Sequence, residues 1–360
     1  MRKIAFVCAL LLVAAASVVV YGQEDYTVFT YEEALELALE TFPEIQDLEN
    51  AIEELEDLRD DLRDVLALTY WMIAYTRGST IRSHLDEVER QIEELTLDIR
   101  VIELRAELTL RNMLSDIANA AIDIEIMEAS IVVSEESLRR ANLLYSLGMI
   151  STSERRRAES RIMQEEMSLD NLRLVMANSQ ASLNLLLGQS PYQLTIVEYE
   201  ITQSEAPVNL TRHITQTVAQ APAIRQTQIN TERQRDAYNI HKERCHISPW
   251  RDCDSCVELH EAYARARLDQ SLATRTMETA LRMAHNRMSQ LRTQEQAGSL
   301  ELLQAVEGLE TAEINLELGR GIPFEITQAR HEVLDAELNV KRFLYRQWVL
   351  DFTLANPVLL

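Results

Sequence analysis

Residues 110–158 read LRNMLSDIANAAIDIEIMEASIVVSEESLRRANLLYSLGMISTSERRRA. Apolar or small side chains recur at Leu110, Met113, Ile117, Ala120, Ile124, Met127 and Ile131, then at Ser134, Leu138, Ala141 and Tyr145. Steps of three and four residues alternate, which is the spacing of a heptad seam along one helix. Upstream the seam runs back through Ile102, Ile99, Leu95, Ile92 and Val88 to Leu85, with one pair of successive fours at Ala106. The pattern predicts a single helix over about 82–147, roughly 100 Å long at 1.5 Å per residue. A second, weaker stripe passes through Leu97, Val101, Leu104 and Leu108, then Ala118, Ile122, Ala129 and Val133. A helix with two apolar flanks needs neighbours on both sides.

The long helix should stop at Leu147-Gly148-Met149-Ile150-Ser151. Gly148 suits a left-handed C-terminal cap, and Ser151-Thr152-Ser153 offers N-caps for the next helix, with Glu154 in its first turn. That return helix carries Ala158, Ile162, Leu169, Leu172, Met176, Leu183 and Leu186 and ends at Leu187-Gly188, before Pro191. Residues 82–188 therefore read as an antiparallel hairpin of helices with unequal arms.

The second half repeats the first. At an offset of 171, Leu110 falls on Leu281, Ile117 on Met288, Ile131 on Leu302 and Leu138 on Leu309; Leu147-Gly148 falls on Leu318-Gly319, Glu154 on Glu325 and Ala158 on Ala329. Further upstream the offset becomes 179, with Leu35 on Ile214, Leu39 on Val218 and Pro43 on Pro222. The period marks a duplicated supersecondary unit. The expected organisation is a signal segment 1–22, a first repeat 23–188 with its turn at 147–153, a linker 189–209, and a second repeat 210–355 with its turn at 318–324. The expected class is all-α, built of elongated antiparallel long-helix hairpins.

Composition agrees. The 360 residues include only 8 Gly and 7 Pro, and aromatics are 6%, as in long helices with narrow seams. Net charge is −23, and without Arg2 and Lys3 it is −25; residues 24–100 hold 22 acidic and 6 basic side chains. Such a chain is a poor candidate for nucleic acid and no nucleic-acid partner is expected, because phosphate binding needs clustered Lys and Arg. The acidity reads as a solvated helix face or as an acidic lumen that attracts cations. Met1-Arg2-Lys3, the apolar run Ile4 to Val20 and the site Val20-Tyr21-Gly22 have the form of an export signal. No Gly-rich phosphate loop, Gly-x-Ser-x-Gly or His-Glu-x-x-His is present, so no enzymatic activity and no cofactor are expected.

The segment Thr30-Tyr31-Glu32-Glu33-Ala34-Leu35-Glu36-Leu37-Ala38-Leu39 with Pro43-Glu44-Ile45, the turn Arg140-Ala141-Asn142 to Tyr145-Ser146-Leu147-Gly148, and the close Leu185-Leu186-Leu187-Gly188 resemble the TolC family of outer-membrane efflux proteins. The resemblance covers about residues 28–355 and lies in the order, duplication and arm lengths of the segments. It implies a homotrimer whose protomers each give two hairpins to an α-helical barrel. It also implies turns that meet a periplasmic adaptor coupled to an inner-membrane pump or ABC exporter, and a place in the cell outer membrane and periplasm.

One departure stands out. The family inserts two β-strands per repeat, and a membrane strand needs about 9–11 residues. The first connection, Leu66 to Gly78, and the second, about Cys245 to Cys256, are too short for two each. That favours a different class of function, a periplasmic coiled-coil scaffold or spacer that transports nothing. Tyr70, Trp71 and Tyr75 either touch a lipid interface or pack on helix ends.

The turns are the leading candidate sites. Gly148, Met149, Ile150 and Ser151, with Gly319, Arg320, Gly321, Ile322 and Pro323, place apolar groups at exposed turns, a mark of a partner. Glu154 and Glu325 either favour helix N-termini or ring a tunnel mouth. Cys245-His246, Cys253-x-x-Cys256 and His260 suit either a disulfide with one leftover thiol or a metal.

Overall fold

The computed structural model describes residues 26–69, 75–201, 209–246 and 254–359. Its elements, in order, are β1 (Tyr26–Thr30), α1 (Tyr31–Glu40), α2 (Pro43–Thr69), α3 (Tyr75–Ser146), α4 (Thr152–Leu186), β2 (Leu194–Glu198), α5 (Leu210–Ala219), α6 (Pro222–His246), α7 (Asp254–Glu317) and α8 (Pro323–Ala355), closed by a 3-10 turn at Pro357–Leu359. Among the described residues the fold is all-α apart from one two-stranded sheet. α3 runs 72 residues and α7 runs 64, so both seams predict uninterrupted helices correctly. The connections are shorter than the sequence suggests. Leu66 to Thr69 continues α2, and Tyr75 to Gly78 already belongs to α3. Likewise α6 reaches His246 and α7 starts at Asp254.

The described residues group into two compact units, each drawing on both repeats: 26–38, 109–201 and 287–351 form one, and 39–69, 75–108, 209–246, 254–286 and 352–359 form the other. In the first unit, β1 and β2 pair in parallel, Tyr26 opposite Leu194 through Thr30 opposite Glu198. A parallel pair needs a long crossover, and here the whole first hairpin supplies it. Ala34 and Ala38, one turn apart on α1, pack with Leu110 and Leu114 of α3, Leu183 and Leu187 at the end of α4, Val197 of β2 and Trp348 of α8. Small side chains on α1 let these backbones approach. Trp348 stacks on Tyr199 at 5.0 Å, and the Arg111 guanidinium lies 4.7 Å from the Trp348 ring, where the ring face attracts a cation.

Two amides of α4 hold β2. Gln180 Nε2 donates to the Thr195 carbonyl, and the fully buried Asn184 donates through Nδ2 to the Gln193 carbonyl, both at 2.5 Å. They satisfy carbonyls that would otherwise be buried unpaired. At the end of α4, Gly188 takes φ 65°, and Gln189 N–H donates to the Asn184 carbonyl at 2.7 Å, as in a Schellman close. Neither strand is expected from the sequence, and β2 lies inside the segment read as a linker.

In the second unit an ionic ladder joins α6 to α3. Arg225 binds Glu93 through Nε at 2.6 Å, and Arg233 binds Glu87 at 2.9 Å and Glu94 at 2.8 Å. Arg90 answers Asp236, and Gln226 Nε2 donates to Asp98 at 2.6 Å. The hydrogen bonds that Arg225 donates to Glu93 and Arg233 donates to Glu94 raise the pKa of the two guanidiniums, against their burial. In the same unit Ile214, Val218, Ile224 and Ile229 are buried.

The buried amide gives the first test. Asn184→Ala leaves the Gln193 carbonyl unpaired and should cost about 1–3 kcal/mol in chemical denaturation, while Tyr192→Ala, at a side chain 94% exposed, should stay within about 0.5 kcal/mol of the parent.

Candidate functional site at the helix turns

The two hairpin turns of the first unit close in one way. After α3, Gly148 takes φ 73°; its N–H donates to the Tyr145 carbonyl, and Met149 N–H donates to Leu144, both at 2.9 Å. After α7, Gly319 takes φ 71°; its N–H donates to Leu316 at 2.9 Å, and Arg320 N–H donates to Asn315 at 2.8 Å. Only glycine adopts this backbone without strain. Gly321 answers a second demand, because a Cβ there would come within 3.0 Å of Leu316 N.

The next helices start on matched caps. Ser151 Oγ accepts from Glu154 N–H at 3.3 Å, and Ser151 N–H donates to Glu154 Oε2 at 2.7 Å, a complete capping box. On the other turn Ile322 N–H donates to Glu325 Oε2 at 3.3 Å, and Pro323 is the first helical residue. Both carboxylates named from the sequence are thus engaged in their own turns. The backbone and hydroxyl hydrogen bonds from Ser151 hold the Glu154 carboxyl below its ordinary pKa.

Arg140 of α3 covers the ring of Phe324 at 4.6 Å, and Arg155 approaches the ring of Tyr145 at 5.5 Å. Met149 and Leu147 stay largely exposed, as do Leu318 and Ile322 across the way, while Ile150 is half-buried. Phe324 is likewise half-buried, sheltered by Arg140.

Side-chain bridges set the order of the helices behind the turns. Arg173 of α4 binds Glu128 of α3 at 2.9 Å. Arg342 of α8 binds Asp123 of α3, and Ala118 and Ile122 of α3 pack on Leu338 and Tyr345 of α8. Gln347 of α8 donates to Glu295 of α7 at 2.7 Å, and Gly298 of α7 accommodates Phe343. The series is α4, α3, α8, α7. The inner pair exposes little apolar surface: among the described side chains, α8 exposes none of its large apolar ones, and α3 exposes only Val132, Leu143 and Tyr145. The outer pair exposes much more, with Met163, Met167 and Leu174 on α4 and Leu300, Leu303 and Ile314 on α7.

No family model and no curated protein matches the sequence. Solved structures do match. The outer membrane protein VceC of Vibrio cholerae superposes with TM-score 0.64 at 12% identity over 91% of this chain and 95% of that one. The CmeC outer membrane channel of Campylobacter jejuni gives 0.60 at 11% over 90% and 85%. The outer-membrane channel OprN gives 0.59 at 13% over 90% and 89%. This is the TolC-like outer-membrane channel fold. Within that fold, no helix among the described residues is long and apolar enough to cross a membrane.

Other residues singled out from the sequence fall elsewhere. The export signal, Tyr70, Trp71 and Cys253 lie outside the described residues, as do the side chains of Tyr75, Cys245 and His246. Cys256 is half-buried on α7, and His260 meets Tyr238 edge-on at 5.3 Å. Among the described residues no three His, Cys, Asp or Glu side chains gather as a metal site. The sequence reading missed one feature of the channel fold's turn end. Thr152, Ser153, Arg156, Arg157, Ser160, Arg161 and Gln164 line an open groove of about 610 Å³ on α4. Its signal was the run Arg155-Arg156-Arg157 in an acidic chain.

Ser151→Ala should cost about 1 kcal/mol, and Gly148→Ala about 1–2 kcal/mol, by chemical denaturation. The Glu154 cap strengthens folding above the ordinary carboxylate range and loses that contribution as pH falls through its lowered pKa. Amide-exchange protection of residues 152–156 should therefore fall on acidification, and Glu154→Gln should flatten that dependence.

Proposed function

We propose that this chain is a protomer of a passive TolC-like export conduit, a tunnel component of a tripartite efflux or type I secretion route. Copies exported by the signal segment assemble side by side, as a homotrimer, into a helical barrel of the cell outer membrane and periplasm. The turns Gly148–Ser151 and Gly319–Pro323 meet a periplasmic adaptor, which couples the tunnel to an inner-membrane pump or ABC exporter. The two sequence repeats, 23–188 and 210–355, each supply one hairpin to the wall.

The carrying observation is the contrast between outer and inner helices. α4 and α7 leave leucines and methionines in solvent, each worth about 1.5–3 kcal/mol when fully buried, while α3 and α8 between them are covered on both flanks. A helix series with two open apolar edges is completed by further copies. The likeness to solved outer-membrane channels supports the same reading.

A second reading, a periplasmic scaffold or spacer that transports nothing, has its own support. Only 70–74 separate α2 from α3, and only 247–253 separate α6 from α7. A single membrane strand takes about 9–11 residues.

Fractionation of the native protein with carbonate extraction and chemical cross-linking tests both. The conduit requires a cross-linked trimer in the extraction-resistant outer-membrane fraction. A soluble periplasmic monomer or dimer leaves the scaffold.

A further inference from the structure

α4 carries a second heptad row on the face opposite α3. The first row, Ala158, Ile162, Glu165, Leu169 and Leu172, is buried or half-buried against the hairpin partner. The second, Arg156, Ser160, Met163, Met167 and Leu174, is exposed throughout. It is basic near the turn and apolar further away. Arg156 has no carboxylate partner among the described residues, and Arg157 is engaged only by the longer-range attraction of Glu154. The nearby acids are occupied: Glu154 by Ser151, Glu159 by Arg155 and Glu165 by Arg161.

α7 carries the complementary row. Leu300, Leu303, Glu307, Glu310 and Ile314 follow steps of three, four, three and four on the face away from α8, and all are exposed. This row is apolar far from the turn, acidic at Glu307 and Glu310, and apolar again at Ile314 beside the turn. Glu307 and Glu310 have no cationic partner among the described residues, whereas the neighbouring Glu313 is bound by Arg330.

The rows correspond in kind, in level at their apolar parts, and within two to six residues at their charged parts. α4 begins at its turn and α7 ends at its turn, so the two would run antiparallel. Arg156 and Arg157 lie 4 and 5 residues from the start of α4, and Glu310 and Glu307 lie 7 and 10 from the end of α7. Met167 lies 15 residues in, and Leu303 lies 14 back. Rotation about an axis parallel to the helices leaves these levels unchanged, as in a closed ring.

We infer that the basic-to-apolar face of α4 docks on the acidic-to-apolar face of α7 in a second copy, with Arg156 and Arg157 against Glu307 and Glu310 and Met167 against Leu303. The inference rests on the side-by-side assembly proposed above and adds which faces meet and in what register. Hydrophobic contact supplies most of the affinity, while the charges disfavour a slip along the heptads, since a slip strands Arg156, Arg157, Glu307 and Glu310 without opposite-charge partners.

The test is the association state of the full mature chain, in detergent where extraction requires it, by analytical ultracentrifugation. Arg156→Glu with Arg157→Glu should weaken assembly by at least about tenfold, and Glu307→Arg with Glu310→Arg should do the same. All four together should restore it, with helicity unchanged in each. Oxidation of a Met167→Cys, Leu303→Cys double variant should give an intermolecular disulfide ladder even if the charge variants fold poorly. Assembly of the parent that is indifferent to every swap, with no ladder, overturns the register and leaves the conduit standing. A parent that stays monomeric overturns both. Unchanged assembly of the Arg156→Glu, Arg157→Glu variant, with loss of binding to a polyglutamate peptide that the parent retains, assigns the groove to an acidic partner and overturns the proposal.

Discussion

Two-sided burial of α3 is the constraint on which the first unit depends. A lone amphipathic helix hides one stripe against a core and gives the rest to water. α3 has two stripes, and both contribute buried residues: Leu110 and Ala120 from one, Ala118 and Ile122 from the other. At about 25 cal/mol per Å² of apolar surface, neither flank can be left open along tens of residues without a large penalty. α4 takes one side and α8 the other. The same demand then passes outward, because α4 and α7 each have one flank covered and one bare.

Polar contacts have a different task. Most ion pairs along these helices are exposed, and such pairs contribute about 0–1 kcal/mol each. The pairs that cross between helices instead fix axial position. A heptad seam is nearly degenerate under a shift of seven residues, and Arg173 on Glu128 or Arg342 on Asp123 removes that degeneracy. The ladder of Arg225 and Arg233 does the same for α6 on α3, where the charges are partly buried and so better shielded from salt.

Much of this was legible in the sequence, for definable reasons. The seam from Leu85 to Tyr145, the caps at Gly148 and Gly319 and the N-cap at Ser151 are local rules, set by spacing and backbone conformation. The strands were not legible. Tyr26–Thr30 and Leu194–Glu198 are five-residue runs, and each becomes a strand only because the other lies beside it. The connections were misjudged because Leu66 to Thr69 and Tyr75 to Gly78 carry weak helical signals that the long neighbouring helices override. The charged rows on α4 and α7 escaped notice because net charge averages over faces, and their meaning depends on which helices stand at the ends of the series.

The pairing of β1 with β2 bears on how the chain comes to fold. The two strands are separated by 163 residues, and contacts so distant in sequence form late because the loop between them must first be ordered. During synthesis Tyr26–Thr30 emerges early but finds its partner only once α4 has turned at Gly188 and Asn184 has seated the segment that becomes β2. Until then its edge is open, and an open edge is a site for mispairing. The first hairpin must therefore be largely complete before the chain's first strand has a place to go, which makes closure of this small sheet a natural checkpoint on the first repeat.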